Sequence, residues 1–478
     1  MLAIWTFVHI FAFLMRPYVS EGYLSQAQFV SLPHQTPQWP RSVAALQKLS
    51  QGEVTNWSEF DSWAQQAALI HWAGLDSSTK CIKSYFANTR FTPVSVRFRQ
   101  ESGFYESLLP WIGRKALSVE SLFPEALPQL QAGYNRTVSL SKAQTCALLA
   151  CFFLFQTPVQ HYFCHSSSSI PCQELKFLSL VLYFHNVRQR EENICEYFGK
   201  IALSLSFERL VSEENKGKEW WLGLEKPLVG LEVVEKTGIL EYPEPALRVD
   251  FANCYIGGGV LEDGNVQEEL YFASHPELYL SILLASRMLP NEAIVCVGAE
   301  RVATYTGYGY AAAYNEAYTD GRYGDLVGRL EHHMVAIDAS PYIWDKGEQY
   351  AEGDMVRELN KAWIGFKGDT EERKRANEPG FRGLRPIVSG NWGCGMFNGD
   401  PQLKSLLQWL SATAVGRRLV YAVHGDRRMG SLAAVEAKYR GREARELARD
   451  VWEVVQTYGR ELGGSRSVFE LLLLQRER

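Results

Sequence analysis

At 478 residues, with 46% hydrophobic and 22% charged side chains, the chain has the composition of an ordinary globular protein of two or three domains, neither disordered nor coiled coil. The formal net charge of −5 argues against a broad basic face for nucleic acid, so a polyanionic ligand has to be caught locally in a shaped pocket. The 9 cysteines, an odd number with no CxxC pair, read as mostly reduced, buried thiols of an intracellular protein.

The chain starts with the apolar run MLAIWTFVHIFAFLM. Followed by Arg16, it lacks a basic region before it and an obvious cleavage site, and it is too short for a comfortable membrane span. Residues 1–30 therefore read as a buried or amphipathic segment, or the product of a mistaken start, with membrane association as the alternative. From about Leu32 to Arg209 helix-period segments dominate, the clearest being LSKAQTCALLACFFLFQ (140–156), whose apolar residues occupy most of the helix circumference. A second helical stretch covers 174–203, and the serines 166–169 read as a surface turn. After about Leu228 short β-like runs appear: ALRVDFA, AIVCVG, HHMVAID, RPIVSG and RRLVYAVHG. They alternate with helical PELYLSILLASRML, GDMVRELNKAWIGF and PQLKSLLQWLSATAVG. The expectation is an α-helical accessory domain over 31–215, followed over 216–478 by an α/β domain with a parallel or mixed central sheet.

Two loops of the second half carry chemistry. In FANCYIGGGVLEDGNVQEEL the triplet Gly257, Gly258 and Gly259 follows a strand and precedes Gln267, Glu268 and Glu269. Glycines there can take positive φ and present N–H groups to an anion ahead of a helix N-terminus. The second loop, SGNWGCGMFNGD (389–400), also lies between a strand and a helix. Both are expected to open at the carboxyl edge of one sheet, so that a diphosphate lies across them without a lysine cluster. Consecutive glutamates on a helix diverge by about 100°, so Glu268 and Glu269 cannot flank one glycosidic bond as ordinary glycosidase carboxylates do. One would act as acid and then base while the other holds a substrate hydroxyl; crowding raises the pKa of one of them.

Other signals are weaker. GYGYAA (307–312) imitates a dinucleotide fingerprint, with Asp325 downstream, but lies too far from its strand and reads as a chance match. His332 and His333 on a strand point to opposite faces, one packed and one wet, and do not form a metal site. Cys394 lacks a histidine nearby in sequence and reads as steric rather than nucleophilic. Tyr305, Tyr310 and Tyr314 either extend an aromatic wall or pack in the core.

The stretch GGGVLEDGNVQEE, with VDFAN before it and YTGYGY and GNWGCGMF after it, resembles poly(ADP-ribose) glycohydrolases; the similarity extends to LSKAQTCALLACFF, ELNKAWIGF and FELLLLQ. The resemblance implies a macrodomain-like α/β/α sandwich with a mixed sheet behind a helical accessory domain, and hydrolysis of ribose–ribose O-glycosidic bonds with release of ADP-ribose. By position, Glu269 would be the acid/base, Glu268 would bind ribose hydroxyls, and Gln267 would complete the motif. Asn253 would contact the ribose at the scissile bond. Gly257, Gly258 and Gly259 with Gly393, Cys394, Gly395, Met396 and Phe397 would wrap the diphosphate. Tyr308 would lie near the adenine, with Leu240 and Glu241 lining the base pocket. His424 stands where a phenylalanine is familiar in the family, and Met396 where an alanine is. The resemblance implies no metal or cofactor. The partners it implies are poly(ADP-ribose), poly-ADP-ribosylated proteins and the product ADP-ribose, without direct nucleic-acid binding. It implies a monomer of nucleus and cytoplasm. The rival readings are a non-catalytic macrodomain reader of the polymer and a nicotinamide-dependent oxidoreductase.

Overall fold

The computed structural model describes residues 29–72, 103–154, 156, 170–192, 204–261, 264–319, 329–376 and 383–475. The apolar N-terminus, the serine run 166–169, and Asp325 lie outside them. The first half supplies α1 (Trp39–Ser50), α2 (Trp57–Trp72), α3 (Leu109–Leu117), β1 (Arg136–Ser141), α4 (Lys142–Phe153), α5 (Ile170–Glu192) and β2 (Ser204–Val211). The helical run expected from residue 140 begins two residues later, because Ser141 ends the strand and caps the helix. Its hydroxyl accepts the Gln144 N–H, while the Gln144 side chain accepts the Ser141 N–H. Every residue of α4 from Thr145 to Phe153 is buried, as an apolar surface all round requires.

The second half adds β3 (Leu231–Val234), β4 (Leu247–Ala252), α6 (Gln267–Ser274), β5 (Glu292–Val297), β6 (Ala303–Thr306), β7 (Ala313–Ala317) and β8 (His333–Asp338). It continues with α7 (Glu352–Phe366), β9 (Ile387–Gly390), α8 (Pro401–Val415), β10 (Leu419–Ala422), α9 (Ala444–Tyr458) and α10 (Val468–Leu474). Eight strands form one mixed sheet in the order β1-β2-β5-β8-β4-β9-β10-β3. Strands β8, β4, β9, β10 and β3 are mutually parallel, whereas β5 and the β1–β2 pair join through antiparallel ladders. The loops after β8, β4, β9 and β10 therefore open on the same edge. Strands β6 and β7 form a separate antiparallel hairpin carrying Tyr308 and Tyr310; GYGYAA is its turn, not a strand-to-helix phosphate loop.

Alternation along the strands sorts the core onto two faces. Ile294, Cys296, Met334, Ala336 and Ala252 pack with α3, α4, α5 and α6. Ala293, Val295, Val297, Val335, Ile337, Leu247 and Val249 pack with α7, α8, α9 and α10. The result is a three-layer α/β/α sandwich in which the helical half is one outer layer. Two of its strands, β1 and β2, lie in the sheet, so the sheet reaches back across the expected boundary at 215/216. Buried charges fasten this layer: Lys142 of α4 pairs with Glu277 and Glu300, and Arg190 of α5 pairs with Glu300 at 2.7 Å. Burial would raise Glu300, but Lys142 and Arg190 hold its pKa down at about 2.

Candidate active site

The central strand β4 pairs with β9 only at Leu247 and Arg248. Beyond Arg248 the two diverge, leaving β4 backbone groups without a ladder partner on that side and opening a crevice in the middle of the sheet. Gln267, the first residue of α6, fills the gap: its Oε1 accepts the Phe251 N–H at 2.8 Å and its Nε2 donates to the Val249 carbonyl at 3.1 Å. With its amide committed at both ends, Gln267 fixes where α6 begins and is a positioning residue rather than a reacting one. The next two residues, Glu268 and Glu269, are buried at the floor of the crevice.

The glycine triplet explains how two adjacent carboxylates can be buried there. Glu268 accepts the N–H groups of Gly257 at 2.6 Å and Asn253 at 2.9 Å. Glu269 accepts those of Gly259 at 2.8 Å and Val266 at 3.0 Å, the latter being the N-cap of α6. Gly257 and Gly258 have φ of +96° and +50°. A Cβ on Gly258 would lie 2.5 Å from both Glu268 Oε2 and Glu269 Oε1, so only glycine lets the loop close over the pair. This corrects the expectation that Gly257, Gly258 and Gly259 present their N–H groups to a phosphate. The Gly257 and Gly259 donors go to the carboxylates and that of Gly258 to the Tyr255 carbonyl.

Sequence reasoning missed a third carboxylate. Asp250 on β4 is fully buried on the face that carries α6, and neither of its oxygens has a hydrogen-bond partner among the described residues. The signal was an acidic residue inside the apolar run ALRVDFA, where an unpaired charge is costly. Burial, followed by the charge of Glu269, pushes the Asp250 pKa well above the usual carboxylate range. Burial also pushes Glu268 up, with Asp250 and Glu269 adding to it against the two N–H bonds that oppose it. Asp250 and Glu268 thus each raise the cost of ionising the other.

Around this floor the structure assembles most of the expected residues. Asn253 follows β4 and turns its Oδ1 to the Tyr255 N–H at 2.9 Å. The hairpin turn is tied to the loop before α6 by the Gly309 N–H on the Asn265 carbonyl at 3.1 Å. Tyr308 at that turn is 60% exposed, yet burial of its hydroxyl end and the charge of Glu269 raise its pKa. Glu241 pairs with Arg301 at 3.0 Å, beside the hairpin, and Leu240 is half-buried against the core. His424 has φ of +50°, and burial lowers its pKa despite Glu241.

The loop after β9 differs from the triplet in its backbone donors. The N–H groups of Gly393, Gly395, Met396 and Phe397 have no acceptor among the described residues. Gly393 takes φ of +73°, and Met396 is exposed. The loop is anchored by the Tyr342 N–H on the Phe397 carbonyl at 2.8 Å, and to the β10 loop by Asn391 Nδ2 on Asp426 at 3.2 Å. Cys394 is buried beneath it with its pKa pushed well up by burial, which suits packing and not nucleophilic attack. The histidine expectation needs correction: both His332 and His333 are buried, since β8 lies between β4 and β5 and is covered on both faces. His332 meets the Tyr271 hydroxyl at 2.9 Å and stacks on His275 with ring centroids 4.4 Å apart.

Comparison with known proteins bears on this geometry. Residues 96–217 match the helical domain of poly(ADP-ribose) glycohydrolase, and residues 218–431 match its macro domain fold. The "probable poly(ADP-ribose) glycohydrolase 2" of Arabidopsis thaliana is 30% identical, aligned over 79% of this chain and 83% of its own length. The chain belongs to the poly(ADP-ribose) glycohydrolase family. Poly(ADP-ribose) glycohydrolase 1 of Caenorhabditis elegans is 30% identical over 77% of this chain, which spans about half (49%) of that relative. Poly(ADP-ribose) glycohydrolase 2 of the same organism is 30% identical over 64% of this chain and 61% of its own length. Family membership agrees with the three-layer fold, and the helical match ends at the short segment after β2. Among the described residues, no helix is long and apolar enough to cross a membrane.

Proposed function

We propose that this chain is a poly(ADP-ribose) glycohydrolase that cleaves ribose–ribose O-glycosidic bonds and releases ADP-ribose. The observation that carries this reading is the pair Glu268 and Glu269, buried on α6 and each held by two backbone N–H groups beneath an open crevice. A module that only binds ADP-ribose has no use for two adjacent carboxyls buried beneath its crevice.

In this reading the polymer end lies across the sheet edge. Its diphosphate sits on the free N–H groups of the β9–α8 loop, and its adenine lies between Tyr308 and the Leu240–Glu241 segment, with His424 against the adjoining ribose. Glu268 accepts hydrogen bonds from ribose hydroxyls, and Asn253 contacts the same sugar. Glu269 gives its proton to the departing ribose oxygen as the C1–O bond breaks, leaving an oxocarbenium-like carbon. Water then adds to that carbon and returns its proton to the Glu269 carboxylate. The nearby diphosphate offsets positive charge at the anomeric centre. Poly-ADP-ribosylated proteins are the partners, in nucleus and cytoplasm, and the helical and macro regions act together as one monomeric unit.

The test is release of free ADP-ribose from automodified polymer by the wild type, Glu269→Gln and Glu268→Gln. Removal of the proton donor with its shape retained should lower turnover at least about 10²-fold, while polymer binding persists. A wild type that binds polymer but releases nothing would overturn the assignment.

A further inference from the structure

The segment ELNKAWIGF, part of the resemblance, has no place in the chemistry above, yet its charged residues are buried. On α7, Glu358 and Lys361 are buried, as is Lys404 on α8. Lys404 Nζ pairs with Glu358 and lies 3.8 Å from the centroid of the Trp392 ring. Glu358 also accepts the Ser340 N–H at 2.9 Å and Arg357 Nη1 at 2.7 Å. Arg357 and Lys361 in turn pair with Asp338, at the end of β8, at 2.7 and 2.5 Å. The group thus sets three cations, Arg357, Lys361 and Lys404, among the carboxylates Glu358, Asp338, Asp354 and Asp400.

Of these groups, Lys404 lies against the loop with the free N–H groups. A Cβ on Gly393 would sit 3.4 Å from Lys404 Nζ, and one on Gly399 would sit 3.4 Å from Lys404 Cε. The loop backbone at both glycines is thus within contact distance of the lysine, while what excludes a side chain there is Ala339 Cβ at Gly393 and the Gly393 carbonyl at Gly399, 2.5 and 2.8 Å from the added carbon. The geometry points to Lys404 as a positioning residue for an anion on this loop: a buried lysine behind the loop whose charge acts on a diphosphate that never touches it. That the natural anion is the diphosphate of ADP-ribose rests on the function proposed above.

A buried charge acts through a low dielectric and is poorly screened, which lets one lysine do the work of an exposed cluster. Burial pushes Lys404 well below the usual ammonium range, with Arg357 adding to the push and Asp338 and Asp354 opposing it. The other charged groups around it are Glu358 on α7 and Asp400, the N-cap of its own helix. An anion on the loop favours the protonated lysine, so binding draws a proton from solvent.

Calorimetric titration of the full chain, repeated in buffers of different ionisation enthalpy, tests this with inorganic pyrophosphate and with ADP-ribose as probes. The wild type is expected to take up protons on binding pyrophosphate. Lys404→Met should lose that uptake and bind about 10- to 100-fold more weakly, and Lys404→Arg should restore affinity without the uptake. If Lys404→Met fails to fold, Lys404→Met/Glu358→Gln, which removes both charges of the pair, carries the same comparison. Equal affinity and equal proton uptake in wild type and variants would overturn the inference, as would a wild type that does not bind pyrophosphate. Lys404-dependent uptake in a protein that releases no ADP-ribose would leave this inference standing and remove the glycohydrolase reading.

Discussion

Asp250 is the residue whose surroundings ask most of the fold: a carboxyl with no hydrogen-bond partner among the described residues, facing Glu268 and Glu269. Its raised pKa means that the folded state holds a proton where the unfolded chain has released it. Both states are protonated below the unfolded value, near pH 4, and stability falls as pH climbs from there through the folded value. Asp250→Asn should therefore stabilise the protein at pH 8 by at least about 1 kcal/mol and have little effect near pH 4, read as unfolding temperature against pH. Turnover should fall in the same variant, because the charge of Asp250 acts on the Glu268 carboxyl beside it. No gain in stability at pH 8 would mean that Asp250 is not the strained member of the set. The glutamates are legible from the QEE triplet, whereas Asp250 within ALRVDFA is not, because strand patterning describes a side chain's face and not its neighbours.

At the scale of elements, the site depends on a strand, a loop and a helix that satisfy one another. Strand β4 parts from β9, Gln267 closes the exposed backbone, and the glycine loop folds back on the carboxylates of α6. Gly258→Ala would put a methyl group against both carboxylates at positive φ. It should destabilise the protein by roughly 1–3 kcal/mol and lower ADP-ribose release more than stability alone explains, measured by denaturant unfolding beside the polymer assay. An alanine variant with wild-type stability and activity would show that the loop opens without cost. In the second half β4, β5, β8, β9, β10, α7 and α8 were readable from their apolar patterns, whereas β3, β6, β7 and α9 were not, and the helix expected over 276–289 ends at Leu284, where Ala285 turns extended. The direction of the triplet's N–H groups was not readable, since a glycine-rich turn before a helix serves an external anion or its own carboxylates with the same residues. Strand β2, SLSFERLV, was likewise missed: its buried Arg209, paired with Glu292, makes the run look polar.

For the molecule as a whole, the helical half is a wall of the core and not an appendage. It contributes β1 and β2 to the sheet and one complete apolar face against β5, β8 and α6. Lys142 and Arg190 reach from that wall to the buried Glu277 and Glu300. Lys142→Met leaves two buried carboxylates with one cation and should cost on the order of 3 kcal/mol. Unfolding is expected to remain a single transition reported alike by tryptophans of both halves; two separate transitions would show that the halves fold independently. Length and texture suggested two regions. They did not tell that the regions share one sheet, because strand order is set by pairing between residues far apart in the chain.

The two walls of the crevice differ in what they can offer a ligand. On the β9–α8 side the N–H groups of Gly393, Gly395, Met396 and Phe397 are donors without an acceptor among the described residues, and on the α6 side the functional groups are carboxyls. A small molecule designed for this crevice must therefore be polar in one sense, with acceptors at one end and hydroxyls or amines at the other. A compound of the reverse orientation would meet donor with donor and carboxylate with lone pair. The protein thus imposes a direction on its inhibitors before shape is considered.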